Sequence, residues 1–193
     1  MKIIPAVALM AAFATAGNAG ADDFSGGYVG GDFGVNRSST SGSFVTSPAN
    51  APAYGLQGGY GWNVGDSMMF GVEGYVDSNQ QATHATTGEQ YGSNAYGLGL
   101  KIGVPIDSLM PYARLGYGRA KGTGALSGFS AGGATGGLGL MYKLAPSWSV
   151  EGEWSPSTSE TGGLKLKSNN FSFGFNYHFD TPSTGASAPK ARK

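Results

Sequence analysis

Three features of the sequence predict an all-β chain folded as an eight-stranded antiparallel transmembrane β-barrel of up-and-down topology. Apolar residues alternate with small or polar ones through most of the chain beyond residue 26, and period two is the repeat of a strand, whose successive side chains point to opposite faces. Eight segments alternate in this way, each close to the ~9–11 residues with which a tilted strand crosses a bilayer. Charged residues make up only 12% of the chain, against 35 glycines and 12% aromatics, too few to cover a water-facing sheet in Lys and Glu.

The segments follow in order. Gly27 to Asn36 sets Val29, Phe33 and Val35 against Tyr28, Gly30, Asp32 and Gly34. Ala53 to Asn63 sets Tyr54, Leu56, Tyr60 and Trp62 against glycines and Gln57, and Met68 to Asp77 sets Phe70, Val72 and Val76 against Gly71, Glu73, Tyr75 and Asp77. The cleanest is Asn94 to Val104, with Tyr96, Leu98, Leu100, Ile102 and Val104 on one face and Gly97, Gly99, Lys101 and Gly103 on the other. Met110 to Ala120 opposes Ala113, Leu115 and Tyr117 to Tyr112, Arg114, Gly116 and Gly118. Gly132 to Lys143 opposes Ala134, Leu138, Leu140 and Tyr142 to Thr135, Gly137, Gly139 and Met141. Ser147 to Ser155 opposes Trp148, Val150 and Trp154 to Ser149, Glu151 and Glu153. Asn169 to Phe179 opposes five aromatics to Ser172, Gly174, Asn176 and His178.

The connections alternate in expected length. Short turns fall at residues 63–67, 105–108 and 144–146, and longer Ser/Thr/Gly-rich stretches at 37–52, 78–93, 121–131 and 156–168. Short periplasmic turns and longer external loops are the asymmetry of an outer-membrane barrel. An even strand number puts both termini on the short-turn side.

The first 21 residues predict a cleaved export signal. Lys2 precedes an apolar run from Ile3 to Ala16, and Ala19-Gly20-Ala21 supplies the small-x-small cleavage site ahead of Asp22-Asp23. The run is too short for a membrane-spanning helix of ~20 residues. The chain contains no Cys, which excludes thiolate metal sites and Cys nucleophiles and suits passage through an oxidising compartment. With a formal net charge of zero, no basic excess points to nucleic acid.

A soluble sandwich would alternate as well. The small, weakly charged polar faces instead suit the inside of a narrow barrel. The aromatics Tyr28, Tyr54, Trp62, Tyr96, Tyr142, Trp148, Trp154 and Phe179 stand where interfacial girdles belong.

The last segment, Phe171-Ser172-Phe173-Gly174-Phe175-Asn176-Tyr177-His178-Phe179, resembles the signal read by the barrel-assembly machinery, carried here by Phe171, Phe173, Phe175, Tyr177 and Phe179. Gly27 to Gly34 and Pro111 to Gly118 resemble strands of small opacity-type and OmpA-like barrels. From Asp22 to Phe179 the chain is similar to the outer membrane protein beta-barrel domain family, often labelled porin-family or Omp25-like. The resemblance implies a Gram-negative outer-membrane location, surrounding lipid and lipopolysaccharide, and at most a small conductance. Members usually end at the terminal Phe. Here residues 180–193 follow, ending in Lys190, Arg192 and Lys193, and they read as a disordered periplasmic tail or, alternatively, as a basic contact with anionic surfaces.

By parity Asp32, Glu73, Asp77, Lys101, Arg114, Glu151 and Glu153 point into the lumen. A charge there must pair or be hydrated, so a network of Glu73, Lys101, Arg114, Glu151 and Glu153 is expected. It acts either as a polar plug or as an ion path gated by partner exchange, and the narrowness of eight strands favours the plug. Catalysis, cofactors and metals are not expected. The two histidines are His84, expected in a solvated connection, and His178, at the end of the last segment. Neither has a Ser at the spacing of a barrel deacylase; His84 has only Thr86 there, a weak match in a connection, and two histidines do not make a metal cluster. The glycine strings Gly97-Leu98-Gly99 and Gly136-Gly137-Leu138-Gly139 join no strand to a helix and are not phosphate loops. The expected function is structural and surface-exposed, with external loops for adhesion or host contact to an unspecified partner; the alternatives are a weak nonspecific pore and, least favoured, a lipid-modifying enzyme.

Overall fold

The computed structural model describes residues 24–64 and 68–179. The leader expected over residues 1–21 and the tail over 180–193 lie outside them. Eight strands follow one another: β1 (Gly26–Gly42), β2 (Ala49–Val64), β3 (Met68–Thr83), β4 (Gln90–Gly103), β5 (Leu109–Gly124), β6 (Ser130–Ala145), β7 (Trp148–Thr161) and β8 (Leu164–His178). Each pairs antiparallel with its sequence neighbour, and β1 closes on β8. Closure runs almost the whole length of both strands, from Tyr28 opposite His178 to Gly42 opposite Leu164. No edge remains to expose unpaired backbone.

Outward positions carry the apolar side chains. Phe33, Leu56, Leu98, Leu100, Leu115, Leu138 and Phe171 are all exposed, Leu98 by 73%. A soluble protein would bury this set; a belt of exposed Leu, Val and Phe has hydrocarbon as its solvent. Trp148 and Tyr177 meet edge to face at the terminus end of this belt, and so do Tyr177 and Phe179. Tyr28 does not join the girdle. It is 5% exposed and faces the lumen, because its neighbour Val29 takes the outward position.

The strands outrun the membrane. They are 14 to 17 residues long; a 16-residue strand such as β2, at about 3.3 Å per residue and about 40° of tilt, rises about 40 Å, whereas the lipid-facing band of such barrels is about 25 Å tall. The surplus lies entirely at the end away from the termini, where β1 continues through Arg37–Gly42, β5 through Arg119–Gly124 and β8 begins at Leu164. The long connections expected at 37–52, 78–93, 121–131 and 156–168 are therefore mostly strand, and the links shrink to residues 43–48, 84–89, 125–129 and 162–163. Pairing persists there because polar outward residues suit a sheet in water as well as a loop. The last link is a two-residue hairpin in which Gly162 and Gly163 have φ of 55° and 76°, the left-handed pair that a type I′ turn demands. Strand β3 absorbs an irregularity between Asn79 and Ala82, and β6 another between Lys143 and Ala145.

Gly34 marks a place where the sheet tolerates no side chain: a Cβ on it would stand 2.1 Å from the carbonyl oxygen of Phe171 on the closing strand. Gly34→Val is expected to destabilise the folded barrel by at least about 1–3 kcal/mol through overpacking, read as a lower urea midpoint for the heat-modifiable band shift in detergent.

Candidate functional site

The lumen is filled in layers, and the first lies at the terminus end. Phe24, just ahead of β1, packs with Met69, Met110, Met141 and Tyr112 into a buried apolar cluster. The three methionines occupy inward positions of β3, β5 and β6, where unbranched, adaptable side chains fill an irregular bore. Lys143 sits beneath, its Nζ donating to the Pro146 carbonyl at 3.1 Å and standing 5.6 Å from the Phe24 ring.

The charged layer comes next. Lys101 on β4 and Arg114 on β5 are direct cross-strand neighbours, an arrangement that repels unless acids stand across from it. They do. Lys101 Nζ lies 2.6 Å from Glu73 Oε2 and 3.6 Å from Glu151 Oε2. Arg114 reaches Glu153 Oε1 at 2.5 Å through Nη2 and Glu73 Oε1 at 3.5 Å through Nη1. Glu73 comes from β3 and the other two acids from β7, so the ion pairs tie together opposite walls of the barrel.

Neutral groups complete the layer. The Tyr28 hydroxyl donates to Glu73 at 2.5 Å, and the Tyr112 hydroxyl to Glu153 at 2.9 Å. Gln57 donates to Glu151 and, at 2.9 Å, to Asn176 Oδ1. The Lys101 ammonium stands 4.5 Å from the Tyr112 ring centre, and the Arg114 guanidinium 4.9 Å from that of Tyr75. Glu73 and Lys101 are 2% and 1% exposed; ions so deeply withdrawn from water persist only because partners surround them. Asp32 and Asp77 face each other just above, over Gly55, whose Cβ would touch both carboxylates.

Glycines make this filling possible. A Cβ on Gly139 would meet the Tyr112 ring at 2.5 Å, one on Gly97 the Tyr75 hydroxyl at 2.6 Å, and one on Gly137 Glu153 at 2.7 Å. Tyr112, Tyr75 and Glu153 each lie over a neighbouring strand's glycine, so these glycines are sockets for polar side chains.

Above the charges lies a cavity of about 50 Å³, lined by Asp77, Asn79, Thr135, Ser155, Ser157 and Asn170 among others, room for a few waters. It is roofed by a second apolar cluster of Tyr91, Leu126 and Leu166, with Phe44, Phe129 and Leu164 against it. Phe44, Leu126 and Phe129 come from the connections at 43–48 and 125–129, so these fold inward as a lid. His84, expected to be solvated, is fully buried. Its ring stacks on Tyr91 at 3.7 Å, and Nδ1 bonds the Ser47 carbonyl at 2.7 Å. Thr46 Oγ1 is 2.7 Å from the Tyr91 hydroxyl. Stacked on a phenol ring and bonded to a backbone carbonyl, the His84 side chain is part of the lid.

Parity placed the charged residues on the inward face, but spacing could not show two features. The apolar layers were missed: alternate-position Met69, Met110 and Met141 were the available signal, while Phe24, Phe44, Leu126 and Phe129 lie outside any periodic segment. The other is a hydrogen bond of 2.9 Å between Ser149 Oγ and His178 Nε2. It joins the facing ends of β7 and β8 inside the lumen, with the His178 ring 5.7 Å from Tyr28. Ser149 is fully buried, closed to any substrate carbonyl, so the pair fastens the terminus end of the barrel. Of the aromatics in the expected assembly signal, Phe171, Phe173, Phe175 and Tyr177 lie on the outward side of β8, Phe171 opposite Val35 and Phe175 opposite Gly31, and Phe179 follows just past its end.

A closed eight-stranded barrel with a lipid-facing apolar belt and a packed lumen is an outer-membrane type of protein. Residues 6–179 match the outer membrane protein beta-barrel domain family, and the chain belongs to it. No curated protein matches the sequence. Among solved structures, Neisserial surface protein A is similar, with a TM-score of 0.58 and 20% identity over 80% of this chain and 98% of that one. OprG from Pseudomonas aeruginosa follows at 0.49 and 16%, covering 83% and 99%. Ail, the attachment invasion locus protein of Yersinia pestis, stands at 0.47 and 16%, covering 79% and 99%. At such identities the likeness is one of fold.

The charged layer predicts asymmetric costs. Glu73→Ala removes the nearest carboxylate from Lys101 and one of the two from Arg114 and should lower stability by about 3–5 kcal/mol, whereas the double change Glu73→Leu with Lys101→Met should recover most of that loss. Urea titrations of the detergent-folded proteins distinguish the two.

Proposed function

We propose that the protein is a closed, structural surface barrel of the Gram-negative outer membrane, exported by its cleaved leader and displaying a rigid rim of paired strand outside the cell. The observation that carries this reading is the succession of layers in the lumen. An ion entering from either end meets an apolar cluster, and between the clusters both cations, Lys101 and Arg114, are held by Glu73, Glu151 and Glu153. Apolar constrictions exclude water and hence ions, so the ion pairs serve as a fastening across the bore, and a gate has no path to control.

The rim offers the surface for adhesion or host contact. It is a continuation of the barrel wall, held by ladder hydrogen bonds, so a partner docks on it without paying to order a long loop. No catalytic role is assigned: the Ser149 hydroxyl against His178 is sealed from substrate, and His84 is built into the lid. Phe171, Phe173, Phe175, Tyr177 and Phe179 act during biogenesis as the segment recognised by the barrel-assembly machinery.

Planar-bilayer recording of the refolded chain tests the reading. The expected record is flat, without unitary steps, for the unaltered protein. Unitary steps that vanish in a folded Arg114→Ala variant would instead establish a gated pore.

A further inference from the structure

The outer wall carries a trough that leads to an unpaired cation. Strand register lines up outward residues in rows across the wall. In the row Val29, Gly58, Gly74, Leu98, Tyr117, two consecutive strands present only glycine. The flanking rows are filled: Leu56, Val76, Tyr96 and Arg119 on one side, Tyr60, Val72, Leu100 and Leu115 on the other. The glycine row is therefore the floor of an apolar groove, and Leu56, Val76, Tyr96, Leu98, Tyr117 and Arg119 are among the residues that line it. A second groove around Gly152 has no cation in its lining.

The groove ends in polar groups. Arg119 closes its upper ridge, beside the exposed Tyr96 and Tyr117. The Tyr117 ring leans toward β6, where a Cβ on Gly132 would stand 2.0 Å from its hydroxyl, and Gly132 is the direct partner of Arg119. A guanidinium and a phenol hydroxyl thus share one row, with Lys121 two residues higher on the same face. Among the described residues, neither Arg119 nor Lys121 has a carboxylate within ion-pair distance. All five outward cations of the described chain, Arg37, Arg119, Lys121, Lys165 and Lys167, lie at the end of the barrel away from the termini.

We propose that this groove is a binding site for the phosphorylated glycolipid of the outer leaflet, an acyl chain lying along Gly58 and Gly74 and a glycosyl phosphate held by Arg119, Tyr117 and Lys121. The proposal rests on the outer-membrane placement argued above and adds a site to it. A groove of one missing side-chain row is the width of a single chain, and a guanidinium with neighbouring donors matches a phosphate by shape and charge. A phospholipid would use the same chemistry, but the cations stand only at the end assigned to the outer leaflet, where the phosphorylated amphiphile is lipid A.

The test is native mass spectrometry of the detergent-folded full chain titrated with hexa-acylated, bisphosphorylated lipid A. The unaltered protein should retain it, and Arg119→Gln with Lys121→Gln should weaken retention about tenfold, the loss expected for charge-assisted hydrogen bonds. Gly74→Val, whose Cβ meets Leu98 at 3.4 Å and the Gly97 and Gly58 carbonyl oxygens at 3.9 and 4.0 Å, all ordinary contacts, should fill the groove and weaken retention similarly while the heat-modifiable band stays intact. Lipid A stripped of its phosphates should bind like the double variant. Equal retention by all variants, or phosphatidylglycerol held as tightly as lipid A, overturns the proposal. Surface labelling separates its failure from that of the placement. The chain has no Cys, so Glu89→Cys in the 84–89 connection reports the outer face to an impermeant maleimide. Labelling without lipid A retention removes the site and leaves the placement standing; absence of labelling removes both.

Discussion

Backbone closure is the constraint from which the rest follows. Hydrocarbon offers no hydrogen bonds, and an unpaired amide or carbonyl there costs several kcal/mol. The β1–β8 ladder, continuous from Tyr28 and His178 to Gly42 and Leu164, removes the last exposed edge. Eight strands then fix a bore only wide enough for side chains. What those side chains are is decided by the need to fill the bore without stranding a buried cation.

The filling solves two problems with one device. A glycine on one strand gives room to a large polar side chain from the next, as Gly139 does for Tyr112 and Gly137 for Glu153. The acids can then cross the lumen to the adjacent cations Lys101 and Arg114, whose mutual repulsion would otherwise open the β4–β5 pair. Buried ion pairs of this kind add little net stability over apolar packing, but they penalise any register in which one partner is left alone. The apolar layers at both ends separate the pairs from bulk solvent, and the lid at the outer end recruits residues from connections that carry no alternation in the sequence.

Much of the wall was legible from period two. The eight segments, their inward and outward faces and their order around the barrel all follow from alternation, because a one-residue slip would turn Leu98 inward and Lys101 into lipid. The ends were less legible. Arg37 to Gly42 and Ser78 to Thr83 carry Ser, Asn, Gln and Thr on both faces, so no hydrophobic contrast marks them as strand, although pairing extends through them. Gly162-Gly163 did carry a hairpin signal, obscured by the Ser/Thr-rich stretch around it. Tyr28 was misplaced to the girdle because its position near a strand end outweighed its parity. His84 looked solvated because nothing in Gln81 to Ala85 reveals that Tyr91 turns inward beneath it.

By itself the sequence determined the fold class, the lipid-facing surface and the identity of the charges sent inward, since each depends only on residues two apart along one strand. Which charges meet, that Ser149 lies against His178, and that Phe24, Phe44, Leu126 and Phe129 close the bore were decided by the tertiary structure. Those contacts join residues distant along the chain, and their partners are set by register and by curvature around a closed wall, neither of which local spacing encodes.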